Sequence, residues 1–275
     1  MPAATSYLFV PGNRPDRFDK ALAADAGCVI IDLEDAVPTD GKAAAREALG
    51  GWLSTTSLRV AVRVNAADTP WFDDDLAVCA SPNVYAIMLP KADNGEDLAA
   101  CANAAGQARL LPLIETATGF DAPRKLAAVP GVAHFVFGSI DFQLDMGISG
   151  EGDELLFFRS RLVLASRLGR LLPPVDGVTT ETRDVEKVRK VRSDAARARR
   201  LGFGAKLCIH PAQVAPVNAA FRPTRQETDW ARKVLEVFAA AGGAAATVEG
   251  RMIDRPVVLK AQAILDQDAQ ASASA

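Results

Sequence analysis

Short β-rich apolar runs recur along the chain, separated by stretches rich in Ala, Leu, Arg and Glu, residues that favour helix. The apolar runs cover residues 7–10, 28–33, 58–64, 84–89, 110–114, 132–137, 175–178 and 205–209, which makes eight candidate strands. Between them the pattern predicts helices over 15–26, 41–53, 73–79, 95–106, 120–127, 154–171 and 182–201. Strands that alternate with helices pair in parallel, and strands that are apolar throughout are covered on both faces. A doubly wound open sheet would satisfy this too. Eight units favour a closed (β/α)8 TIM barrel, which has no edge strand to protect.

The pattern changes after the eighth strand. A short helix is expected over 211–217, then a longer one over 224–241, where Thr224 and Glu227 form a capping-box signature. Gly242 and Gly243 read as a turn, 248–254 as a small hairpin or extended lid, and 255–265 as a last helix. From Gln267 the Ala/Ser/Asp-rich tail is expected to fray. The expected division is a barrel over 1–220 and a C-terminal helix and lid extension over 221–275.

Composition narrows the function classes. Of the 275 residues, 49% are hydrophobic and 24% charged, which excludes a disordered chain. A net charge of −3 gives no push toward nucleic acid. The basic stretch 183–206 is interrupted by Asp184, Glu186 and Asp194, and reads as a solvated helix face, with docking of a phosphate-bearing ligand or a partner as the rival. No apolar run approaches the roughly 18 residues of a membrane span. The first twelve residues lack a basic region and are broken by Pro11 and Gly12, unlike a signal peptide. Four scattered cysteines without metal-ligand spacing suit a reducing cytoplasm, and two histidines leave little for a zinc site or a Ser-His-Asp triad.

Catalytic groups of such a barrel come from the C-terminal ends of its strands. Those ends carry Asn13 and Arg14, then Asp32, Glu34 and Asp35, then Arg63 and Asn65, Lys91, Glu115, Gly138-Ser139 with Asp141, Asp176, and His210. Polar groups closing apolar strands on one face point to an enzyme. Glu115 and Asp141 follow adjacent strands, and two carboxylates with waters and a chelating substrate are how proteins usually hold Mg2+. Helix-terminal roles for both acids are the bland alternative. Arg63 suits a planar carboxylate or a developing enolate, with a structural pairing to Glu34 or Asp35 as rival. The packed acids Asp32, Glu34 and Asp35 need cationic partners, and one of them could orient a metal-bound water. Gly138-Ser139 could offer backbone N–H groups to a carboxylate. His210 reads as a satisfied hydrogen-bonding residue, with a catalytic base as the alternative, and His134 as structural.

At these residues the sequence resembles the citrate lyase β-subunit-like branch of the HpcH/HpaI aldolase superfamily, which includes malyl-CoA and citramalyl-CoA lyases. The marks are SYLFVPGNRPDRFDKA at 6–21, VIIDLEDAV at 29–37, VRVN at 62–65, MLPKAD at 88–93, PLIETATG at 112–119, FGSIDFQLDMG at 137–147 and KLCIHPAQV at 206–214. The resemblance implies a (β/α)8 barrel, a homotrimer or hexamer, and Mg2+ held by Glu115 and Asp141. It further implies that Arg63 binds the 2-oxo acid or 3-hydroxyacyl group, with Glu115 beside it, and that the Gly138-Ser139 backbone contacts the carboxylate. Arg14 and Lys20 look placed for CoA phosphates or substrate. The segment GRMIDRP at 250–256 resembles the lid of the CoA lyases, where the aspartate, here Asp254, acts as acid/base and often reaches a neighbouring subunit's site. By itself Asp254 reads as an exposed turn or a helix N-cap.

The implied reaction is reversible C–C cleavage of a 3-hydroxyacyl thioester, on CoA or an acyl carrier, to an acetyl-type thioester and a 2-oxo acid. A base would take the hydroxyl proton, and Asp254, or a metal-bound water oriented by Glu34 or Asp35, would protonate the thioester enolate. Two alternatives stand beside it. One is a class II aldolase on free hydroxy-oxo acids, although Asp35 stands where those enzymes usually carry histidine. The other is a non-catalytic accessory protein that binds an oxo acid or a carrier partner.

Overall fold

The computed structural model describes residues 4–104, 106–181 and 185–273. Eight parallel strands close a barrel in chain order, with the last pairing back onto the first. They are β1 (Ser6–Pro11), β2 (Cys28–Asp32), β3 (Val60–Arg63), β4 (Val84–Leu89), β5 (Arg109–Ile114), β6 (Val136–Phe137), β7 (Val175–Asp176) and β8 (Ala205–Cys208). Around them run α1 (Phe18–Leu22), α2 (Lys42–Thr55), α3 (Phe72–Cys79), α4 (Gly95–Ala104), α5 (Ala117–Asp121), α6 (Pro123–Ala127), α7 (Ser139–Met146), α8 (Leu156–Leu168) and α9 (Val185–Leu201), followed by α10 (Val214–Phe221). This is the expected (β/α)8 barrel with helices after its last strand.

The differences from the sequence expectation have local causes. The helix expected over 120–127 is two, because Ala122 ends α5 and Pro123, which lacks an N–H, starts α6. Strand β6 is shorter than 132–137. Val132 makes only an isolated bridge to Leu110, and residues 133–135 turn their carbonyls to the lead-in of β7, through Leu172 N to Ala133 O and Val175 N to Phe135 O. Strands β6 and β7 meet at Val136 and Val175. The helix α7 was not expected as an element. Arg183 and Asp184, and the expected helix start at Thr182, lie outside the described residues.

Side chains alternate across the barrel wall. Cys28 and Ile30, Ala61, Ala86 and Met88, Leu111 and Leu113, Val136, Val175, and Ala205 and Leu207 belong to one buried interior cluster. One alternation further toward the C-terminal mouth stand Asp32, Arg63, Glu115, Gly138 and Gly177. The wall thus changes from apolar to charged within a single residue layer.

The opposite parity faces the helices. There Asp176 Oδ1 takes Arg159 Nε of α8 at 2.9 Å, while Lys206 Nζ lies 3.7 Å from Asp176 Oδ2. All three side chains are buried. Asp176 was expected at the mouth with the other strand-end acids. It instead points outward into a buried ion cluster, because it continues the outward parity of β7.

A second compact unit begins at Ala219. It contains α11 (Arg225–Ala240), the hairpin of β9 (Ala246–Val248) and β10 (Arg251–Ile253), and α12 (Arg255–Ala273). Thr224 and Glu227 form the expected capping box. The core of this unit joins Ala231 and Val234 to Val248, Ile253, Ala261 and Ile264. Helix α12 continues through Ala273, as suits a stretch rich in alanine, the best helix former. Among the described residues no helix is long and apolar enough to cross a membrane.

Candidate active site

The mouth of the barrel is built around Arg63, at the end of β3 and 8% exposed. Its Nε and Nη2 grip the two carboxylate oxygens of Asp32, each at 2.7 Å. Its Nη1 lies 2.8 Å from Glu34 Oε2 and 3.2 Å from Asp35 Oδ2. The guanidinium also sits over the Phe9 ring, 4.9 Å from its centroid. Burial alone would lower its pKa, but the three carboxylates outweigh that and keep it firmly charged. The structural pairing weighed as a rival is therefore present, and it includes Asp32 as the principal partner.

The loop after β2 that carries Glu34 and Asp35 is tied from both sides. Asp32 accepts from Glu34 N at 2.9 Å and from Ala36 N at 3.1 Å. Lys42, buried at the start of α2, donates to Leu33 O at 2.8 Å and to Glu34 O at 2.7 Å. The loop after β3 is held similarly, with Asn65 donating to Leu33 O and to buried Asp75, which pairs with Arg46. Sequence reasoning missed Lys42 and Asp75. The only available signal was a charged residue on the side of a helix that must face the barrel.

Glu115, 4% exposed, follows β5 and accepts from Lys91 N at 2.8 Å. Its pKa is pushed up to about 8, first by burial and then by the charges of Glu34 and Asp141. Glu34 is pushed up to about 7, again mainly by burial, with Asp35 and Asp32 adding to it against Arg63. Glu34 Oε2 is buried and makes no hydrogen bond, despite its closeness to Arg63. Asp141 lies exposed in the first turn of α7. Five carboxylates therefore face one buried guanidinium and the rim ammonium of Lys91, an excess of negative charge that a hard divalent cation would neutralise. Among the described residues, no group of three or more His, Cys, Asp or Glu side chains gathers as ligands. Glu115 and Asp141 as a pair could hold such a cation and leave other positions open, a donor set that suits oxygen-loving ions.

Two glycines make room for this arrangement. A Cβ on Gly138 would stand 2.5 Å from Glu115 Cβ and 2.6 Å from its Oε2, and one on Gly177 would collide with the Ser139 hydroxyl. Ser139 is buried in the first turn of α7, where the leading amides have no intrahelical acceptor and could meet an anion.

Other expected residues make local contacts of their own. Arg14 is engaged by Asp16 at 2.8 Å, and Lys20 is exposed on α1. His210 accepts from Ala212 N at 3.1 Å, and His134 Nδ1 is 2.7 Å from Pro173 O, so both are satisfied structurally. In the second unit, Asp254 stands between β10 and α12 and accepts from Val257 N at 3.4 Å, as a residue capping the helix does.

The family model for HpcH/HpaI aldolase/citrate lyase matches residues 5–211. A citrate lyase subunit beta-like protein of Deinococcus radiodurans is 39% identical, over 96% of this chain and 97% of its own. A (3S)-malyl-CoA thioesterase of Cereibacter sphaeroides is 33% identical, over 94% and 95% respectively. Among solved structures, the protein CitE of Mycobacterium tuberculosis in complex with magnesium, acetoacetate and coenzyme A superposes with a TM-score of 0.84 at 32% identity, over 98% of this chain and 99% of that one. Motifs, barrel and match over nearly the whole length agree: this chain belongs to the HpcH/HpaI aldolase/citrate lyase family and is a carbon–carbon lyase.

Proposed function

We propose that this enzyme is an Mg2+-dependent lyase acting on a 3-hydroxyacyl-CoA thioester of the malyl, citramalyl or citryl type, with an acetyl-type thioester and a 2-oxo acid as products. The observation that carries this reading is the cluster of five carboxylates around one buried guanidinium at the mouth, where burial first, and then Glu34 and Asp141, raise the pKa of Glu115. Glu115 and Asp141 would hold the cation. Mg2+ bound there supplies a Lewis acid for the carbonyl and carboxylate oxygens of the oxo acid.

The chain's own groups do the rest. Arg63, already fixed by Asp32, faces the same oxygens and favours the charge that develops on them. The amides at Gly138 and Ser139 receive the substrate carboxylate. In the cleavage direction a base takes the hydroxyl proton, the C–C bond breaks, and the thioester enolate carbon takes a proton either from Asp254 or from a water oriented by Glu34 or Asp35. Arg14 and Lys20 serve the CoA phosphates.

We further propose a homotrimer or hexamer in the cytoplasm. The outer ridge of α8 carries Phe157, Leu164 and Leu168, which are 62%, 56% and 56% exposed, interleaved with exposed Arg161 and Arg167. Nearby at the end of α7, Leu144 is 83% exposed beside Asp145, with Asp153 and Glu154 on the following loop. A basic apolar ridge and an acidic apolar edge on one chain suit a second copy of that chain. Four buried, unpaired cysteines fit a reducing compartment. Sedimentation should give an oligomer that Leu164→Glu dissociates; a monomeric parent would overturn this.

The test of the reaction is mass spectrometry of the thioester pool. Incubation with Mg2+, acetyl-CoA or propionyl-CoA, and glyoxylate, pyruvate or oxaloacetate should give a new hydroxyacyl-CoA that EDTA suppresses. The name of the Cereibacter relative supports a second reading, thioester hydrolysis. Malyl-CoA yielding malate and free CoA, with no acetyl-CoA and glyoxylate, would favour that one.

A further inference from the structure

Lys91 follows β4 with a left-handed backbone, φ 45°, which residues other than glycine rarely adopt. Its N–H donates to Glu115 Oε1 at 2.8 Å, and the next amide, Ala92 N, donates to Leu113 O at 3.3 Å. Two successive amides thus point toward the β5 side. In a regular strand successive amides point to opposite neighbours, and a left-handed residue is what a bulge uses to turn both the same way. Glycine is the usual residue there. Among the described residues the exposed Lys91 ammonium makes no hydrogen bond or ion pair, and it acts on the cluster only through its charge near Glu34, which needs no left-handed backbone. The amide has one evident use. With Oε1 taken by it, the carboxylate plane of Glu115 is set, and Oε2 stands on the side where Gly138 has no Cβ.

We infer that the main-chain amide of Lys91 is a positioning group for Glu115, fixing one carboxylate oxygen so that the other is presented to the cation. This rests on the reading of Glu115 as a metal ligand. Loss of the amide would let the carboxylate rotate toward solvent, away from the repulsion of Glu34 and Asp141, and weaken the site without removing any ligand.

The test is direct Mn2+ binding, read from the paramagnetic signal of the free ion, alongside melting of the metal-free protein. Lys91→Gly keeps the amide and permits the left-handed backbone while removing an ammonium that opposes a cation, so it should bind at least as tightly as the parent and is the reference for the other two variants. Lys91→Pro removes the donor and fixes φ near −65°, and should weaken binding about tenfold or more. Lys91→Val keeps the donor but disfavours the conformation, and should fall between. Should the proline variant not fold, the valine variant decides. Proline or valine binding Mn2+ as tightly as the glycine variant overturns the inference, as does glycine losing as much as proline. Glu115→Gln separates the two levels. If it binds like the parent, the metal assignment falls and the inference with it; if it loses binding while the Lys91 variants keep it, the inference falls alone.

Discussion

Arg63 meets Asp32 through two parallel hydrogen bonds, both 2.7 Å, and this fork leaves Nη1 facing Glu34 and Asp35. The guanidinium inside the mouth is therefore fixed in direction before a substrate arrives. Lysine cannot reproduce a fork. Arg63→Lys should lower kcat/KM by about 100-fold in the thioester assay. Asp32→Ala should cost about 3 kcal/mol in urea denaturation, because it breaks a buried pair and leaves the amides of Glu34 and Ala36 without their acceptor. Unchanged turnover in the lysine variant would remove Arg63 from the chemistry.

The metal-free protein should lose stability as pH rises. Glu115 is pushed up to about 8 and Glu34 to about 7, both above their ordinary value of 4.5. Between those limits the folded chain binds more protons than the unfolded one, so these groups contribute fully below about pH 4.5 and their contribution is lost as pH climbs through 7 and 8. Melting in EDTA should fall from pH 5 to pH 9. Saturating Mg2+ should restore about 2.7 kcal/mol at 100-fold excess over Kd near pH 8, and almost nothing at pH 5, where its ligands are protonated.

Glu115→Gln should abolish Mg2+-dependent turnover and the thermal shift given by the cation. It should also raise the metal-free melting temperature above pH 8, by roughly 3 °C for each kcal/mol of relieved repulsion in a chain of this size. A variant that is both inactive and less stable would indicate that Glu115 is structural.

Asp254→Asn should separate capping from catalysis. Asparagine caps a helix about as well as aspartate, so melting should not change. It cannot transfer a proton, so kcat should fall about 100-fold with little effect on KM. Steady-state kinetics on the cleavage reaction would read this, and an unchanged kcat would sink the role.

Lys206→Met should destabilise the fold by about 3 kcal/mol, since it strips Asp176 of a buried cation. Mn2+ affinity should be unaffected, because these side chains lie on the outer face of the wall. Urea denaturation and a Mn2+ titration check the two halves.

The barrel was legible because its strands are short apolar runs with clear breaks; β4 occupies the expected 84–89 without a residue's change. Which acids share the mouth was legible only to the strand end. Asp176 and Glu115 both close apolar strands, yet one residue of parity sends Asp176 outward and Glu115 inward. Helix α7 was hidden because its apolar residues, Ile140, Phe142, Leu144 and Met146, alternate as those of a strand do. The partner of Arg63 was open for a different reason: spacing identifies a face, whereas Asp32 is selected by register, lying directly opposite Arg63 across β2 and β3. Nothing in a lysine announces φ 45°.

The wall of the barrel is not laced evenly. Strands β1 and β2 pair from Tyr7–Cys28 to Pro11–Asp32, whereas β6 and β7 meet at Val136–Val175 and β7 joins β8 through Val175 and Asp176. The ion cluster of Arg159, Asp176 and Lys206 binds the thin side from outside. Amide protons on that side should exchange with solvent faster than those of β1 to β4. Glu115, Ser139 and Asp141 stand at this seam, so the groups that would hold the cation and the substrate carboxylate sit where the wall is expected to open first, while Arg63 sits on the half that is expected to stay closed.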